Sequence, residues 1–173
     1  MSLSTRKRLI NRLDGYYKME GFNTLFFFGL SFYIMYKSES KNLIFITYGL
    51  WFMSFILLQG TLYWYLKLKS IKGEKINQSY YLKLFKRFKS VNVLLGIAIP
   101  LVFFVHWYTS GKQLDWSWLL FWGWFTNFFA LVEHYNYYHK QLMYDNPFDW
   151  RYIKQNKRLK IASLKKDLDE QKI

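Results

Sequence analysis

Cysteine is absent from the chain, which excludes disulfides, thiolate metal sites and thiol catalysis together. Redox compartment leaves no mark on such a sequence. Proline is scarce, and Pro100 is the only break in the apolar run 91–108. Acidic residues are few, 11 against 25 Lys and Arg, giving a net charge of +14 over 173 residues. No H-E-x-x-H, nucleophile motif or Gly-rich phosphate loop occurs, so neither a cofactor nor a dedicated metal site is expected.

Apolar and aromatic residues are present in excess. Of the chain 52% is hydrophobic, with 17 Phe, 15 Tyr and 8 Trp, more than a soluble domain of this size usually carries. Mean hydropathy is only −0.10, because the average mixes long apolar blocks with strongly basic segments. The blocks predict four membrane spans at about 17–36, 43–66, 91–108 and 116–138. The first is the weakest candidate, since its apolar part, 21–36, covers less than a hydrocarbon core of roughly 30 Å. The last starts in the belt "WSWLLFWGW" and ends among tyrosines, as interfacial anchoring predicts. The expected fold is therefore all-α: a polytopic four-transmembrane-helix bundle over residues 1–145, then a basic cytoplasmic C-terminal helix over 146–173.

Charge sets the expected orientation. The links 37–42 and 109–115 hold three lysines, and the other 22 basic residues lie in the N-terminal arm, the 67–90 loop and the tail. The positive-inside rule makes those three segments cytoplasmic, placing both termini inside a multi-pass protein of the cell membrane. The N-terminal "RKR" resembles the start of a signal peptide, but no A-x-A-like site follows the first apolar block, which predicts retention.

Two basic segments are amphipathic at the helical period. Leu9, Ile10, Leu13, Tyr16 and Tyr17 share one side, while Tyr81, Leu84, Phe85 and Phe88 oppose Lys83, Lys86 and Lys89. Such helices suit the inner headgroup layer, and Lys83, Lys86, Arg87 and Lys89 form a candidate headgroup-binding set. Attraction of about 1 kcal/mol per basic residue needs no specific site. In the tail, Asn146, Pro147 and Asp149 predict a cap, a first helical position and a favourable charge for one helix over 147–170.

The fourth apolar block carries a polar stripe. Gly123, Thr126, Asn127, Ala130, Glu133, His134, Tyr137, Lys140 and Gln141 fall within an arc of about 140° at 100° per residue. Alternate helices run in opposite directions, so depth can be compared between them. Glu20 and Asn23 open the first span at the inner side, Asn92 opens the third, and Gln59 lies well down the second. With Glu133 and His134 they define an expected polar layer near the inner boundary, and Asn127 continues the stripe. Ionisable groups at such depth are costly and point to function; small and polar residues also serve close helix packing.

Three functions fit these features. One is a membrane module that binds anionic lipid or a lipid-linked group, or that acts as an accessory subunit of a larger complex. Another is a small transporter or oligomeric pore lined by the stripe, for which four helices would need a homo-oligomer. A third is a headgroup-acting enzyme using Glu20, Glu133 and His134 as metal ligands or acid-base groups. Nucleic acid is not an expected partner, because the basic residues bracket apolar spans and no recognition motif accompanies them. The stretch "GFNTLFFFGL" and the layout with both ends inside resemble the small GtrA-like proteins associated with polyprenyl-linked sugar translocation, which implies lipid-linked cargo; the Glu-His element lies outside that pattern.

The lack of native cysteine makes the topology directly testable. Single cysteines at Ser40 and Ser110 are expected to react with an impermeant maleimide in intact cells, and cysteines at Ser2, Ser79 and Ser163 are expected not to. Labelling of Ser79→Cys would overturn the topology.

Overall fold

The computed structural model describes residues 3–38, 43–112, 118–144 and 147–173. Among them are six helices and no strand: α1 (Leu3–Lys37), α2 (Ile44–Lys72), α3 (Gln78–Thr109), α4 (Trp118–Tyr138), α5 (Pro147–Asn156) and α6 (Ser163–Glu170). The expected cap at Asn146 and the Trp116 start of the aromatic belt lie outside the described residues.

The two amphipathic segments do not form separate surface helices. The basic arm runs without a break into the first apolar block as one helix of 35 residues, and 81–89 runs into 91–108 within the 32 residues of α3. No proline or cap interrupts either junction, and Gly15 stands in open space, where a helical glycine costs only about 1 kcal/mol. The basic residues therefore extend the axes of apolar helices.

The turn between α2 and α3 follows from its end signals. Gly73 takes φ 88°, a left-handed conformation that favours glycine, and the Gly73 and Glu74 amides donate to the Ser70 and Lys69 carbonyls. Asn77 then caps α3 by accepting from the Tyr80 amide at 3.1 Å.

At the centre stands α2, packed against α1, α3 and α4. Its crossing with α4 is close because glycine faces polar or aromatic neighbours. A Cβ at Gly49 would strike Asn127, one at Gly123 would strike Phe45, and one at Gly60 would overlap the Tyr137 hydroxyl. This is the small-residue packing expected for the stripe.

The outer faces are apolar and open. Phe22, Leu25 and Phe32 on α1, Leu94, Ile97 and Leu101 on α3, and Trp118, Phe121 and Phe128 on α4 are all at least half exposed. Two helices, α2 and α3, are long and apolar enough to cross a membrane. They differ in burial: 61% of the apolar window of α2 is buried, but only 11% of that of α3. The first is a core helix, while the second turns its apolar surface outward.

The tail departs from the single helix expected over 147–170. Lys157 takes a left-handed φ of 48°, and the chain then pairs antiparallel with the segment after α4, where Gln141 N donates to Lys160 O at 2.9 Å and Ala162 N to His139 O at 3.2 Å. Breaking the helix lets α6 fold back onto the bundle. Its Leu164 and Asp167 are buried, as is Ile173. Asp167 accepts from Tyr63 Oη at 2.7 Å and Lys67 Nζ at 2.5 Å, and Ser70 Oγ donates to Ile173 O. Because Arg6 also reaches the Ile71 carbonyl, both chain ends and the α2–α3 turn gather at one end of the bundle.

Asp167→Ala is expected to leave Tyr63 and Lys67 unmatched and to cost about 1–3 kcal/mol, read as a lower melting temperature and faster proteolysis at 157–162. Asp169→Ala, which removes an exposed ion pair to Lys165, is expected to change melting little. Equal stability of both variants would show that the tail docks by other contacts.

Candidate functional site

The expected polar layer separates into two neighbouring sites. The first is a closed network around Gln59, Asn92, His134 and Tyr138. Gln59 Nε2 donates to Asn92 Oδ1 and Asn92 Nδ2 returns the bond to Gln59 Oε1, each at 2.9 Å. Tyr138 Oη donates to the same Gln59 oxygen at 2.8 Å. Asn92 Nδ2 also lies 3.3 Å from His134 Nδ1, a contact in which the ring nitrogen must accept, which puts the imidazole proton on Nε2. The ring stacks on Tyr138 with centroids 5.0 Å apart. Gln59 and Asn92 are fully buried, so each bond avoids an unmet polar group in an apolar interior.

The second site is a cavity of about 90 Å³ bounded by α1, α2, the end of α4 and the tail, whose lining includes Arg12, Tyr16, Glu20, Trp64, Tyr137 and Lys160. Glu20 is 8% exposed. Tyr137 lies close enough to interact with it electrostatically, yet neither Glu20 Oε2 nor Tyr137 Oη has a partner at hydrogen-bonding geometry. At the rim, Arg12 donates from Nε to Tyr16 Oη at 2.6 Å and sits 5.1 Å from the centre of that ring. Lys160 pairs with the buried Asp149 at 3.0 Å.

The Glu133-His134 pair does not act as one unit. Successive helical residues point about 100° apart, and Glu133 instead accepts from Asn136 Nδ2 at 3.2 Å. It remains near enough to Glu20 and Tyr137 to contribute to their electrostatics. Asn127 belongs elsewhere: it donates to the Phe45 and Gly123 carbonyls, at the start of α2, 14 residues and about 21 Å from Gln59. Asn23 is half-buried on α1 and joins neither site. Among the described residues, no three His, Asp or Glu side chains gather as a metal site.

Lys83, Lys86 and Arg87 project from α3 into the open, with Lys89 half-buried beside them. Burial first, then Lys89 and Lys165, holds His139 below the ordinary histidine range, so basic groups from two segments converge on the end of α4.

Tyr138 escaped the sequence reading, although it lies four residues after His134 on the same face, a spacing that brings helical side chains together. Comparison with protein families, with characterised proteins and with solved structures finds no match to this chain. The likeness to GtrA-like proteins gains no support there.

Asn92→Ala is expected to strand the Gln59 amide and lower stability by about 1–3 kcal/mol. Glu133→Gln keeps an acceptor for Asn136 and is expected to change it by less than about 0.5 kcal/mol. Melting in detergent with tail docking monitored separately checks both, and an unaltered Asn92→Ala would remove the network from the account of stability.

Proposed function

We propose that the chain is a four-span membrane protein, with both termini and the α2–α3 turn with its flanking helix ends, 67–90, on the cytoplasmic side, that serves as a binding or accessory module engaging anionic lipid. The observation that carries this reading is the separation of surfaces. Apolar side chains stand exposed on α1, α3 and α4, while the basic arm, the α2–α3 turn and the basic tail meet at one end. Apolar surface on this scale needs a partner, and a bilayer covers several outward helix faces at once. For α1 and α4 the support is their exposed apolar faces, Phe22, Phe26, Phe28 and Phe32 on α1 and Phe121, Phe125 and Phe128 on α4, with Tyr36 and Trp118 toward the helix ends, where interfacial anchors are favoured.

A module is favoured over a pore because four of the polar groups at the level where a path would run are one another's partners. Gln59, Asn92, His134 and Tyr138 close a network in the bundle interior. Opening a path there would break bonds between buried groups.

Lys83, Lys86, Arg87 and Lys89 form a basic collar at that end of α3, each contributing about 1 kcal/mol near an anionic surface. Replacing all four with Gln is expected to reduce retention of phosphatidylglycerol, measured by native mass spectrometry after extraction, and to make the remaining binding less sensitive to salt. Unchanged retention with unchanged salt dependence would overturn the lipid-binding role.

A further inference from the structure

The cavity beside Glu20 carries two unsatisfied groups of complementary use. Glu20 Oε2 accepts when the carboxyl is ionised, and Tyr137 Oη both accepts and donates; both are buried, and although Tyr137 Oη stands near Glu20 and Trp64, neither atom has a partner at hydrogen-bonding geometry. No ion pair to Glu20 forms among the described residues. A water in the cavity would satisfy hydrogen bonds but bring no charge, and a buried carboxylate without a countercharge is costly. The walls add Tyr16 and Trp64, whose ring faces attract cations. Arg12 meanwhile is held toward the mouth by its bond to Tyr16, two turns of α1 before Glu20. An acidic, aromatic interior below a guanidinium suits a ligand with its cation leading and its anion trailing.

We propose that this cavity binds an ammonioethyl phosphate group, its primary ammonium against Glu20 and Tyr137 and its phosphate at Arg12. One water needs roughly 10–15 Å³ of such space, so a cavity of about 90 Å³ admits the short ammonioethyl arm. The primary ammonium matters because its N–H donors can meet both unpartnered oxygens. A trimethylammonium group has no donor and leaves both unmet. Arg suits the phosphate through paired N–H donors. The group can come from a phosphatidylethanolamine headgroup or from a soluble phosphoethanolamine; only the lipid source rests on the membrane placement proposed above.

The test uses the full chain in nanodiscs of phosphatidylcholine, titrated with glycerophosphoethanolamine while thermal melting is followed. A saturable rise in melting temperature is expected, with glycerophosphocholine and glycerol phosphate each at least about tenfold weaker, as loss of a charge-assisted hydrogen bond implies. Glu20→Gln and Tyr137→Phe are each expected to weaken binding about tenfold. Arg12→Gln, at an exposed position, is expected to do the same without disturbing the core, which keeps the test decisive if a buried variant fails to fold. Including phosphatidylethanolamine in the nanodisc is expected to weaken the apparent affinity for the soluble compound if the lipid is the source; undiminished affinity assigns the site to a soluble ligand. Absence of a saturable shift, an equal response to the choline compound, or undiminished binding by folded Glu20→Gln or Arg12→Gln would overturn the proposal. Because the collar lysines take no part in the soluble titration, loss of anionic lipid binding and loss of this site are distinguishable.

Discussion

The reciprocal amide pair between Gln59 and Asn92 fixes how the helices meet. α3 buries few side chains, among them Leu82, Phe85, Asn92 and Ile99, so apolar contact alone leaves its rotation and height weakly specified. Two bonds of 2.9 Å between buried amides specify both. A shift of α3 by one residue would turn Asn92 about 100° away and strand Gln59. The tyrosine and histidine of α4 complete the same lock, drawing three helices to one point.

Close packing of α4 on the adjoining face of α2 makes that lock reachable. Gly49 and Gly60 admit α4 at distances a larger side chain would prevent, and Gly60 accommodates the Tyr137 ring directly. The arrangement has a cost: Tyr137 Oη and Glu20 Oε2 are enclosed without partners. Polar groups enclosed in this way are rare because desolvation is not repaid. The network beside them leaves no such group among Gln59, Asn92 and Tyr138.

The tail closes the arrangement. Pairing of 140–141 with 160–162 ends α5 and redirects the chain, and Asp167 then reaches Tyr63 and Lys67 on α2. The same turn carries Lys160 to the cavity mouth. Residues distant in sequence thus shape the entrance to a pocket whose floor belongs to α1 and α4.

The sequence by itself determined what is local. Apolar runs and the 3.6-residue period specify the apolar parts of α2 and α3, 43–66 and 91–108, and the buried face of α4, where Gly123, Thr126, Asn127, Ala130 and Tyr137 are all enclosed. Helix dimensions also brought Gln59, Asn92 and His134 to one depth. Tertiary structure alone decided the partners. Glu133 turned to Asn136 because adjacent residues point apart, Asn127 stayed at the far end, and the amphipathic segments merged into longer helices. Tyr63 met Asp167 across 104 residues, and Gln59 met Asn92 across 33. Such pairings depend on rotation between helices and on the path of the tail, set by packing over the whole chain, and no local period encodes them.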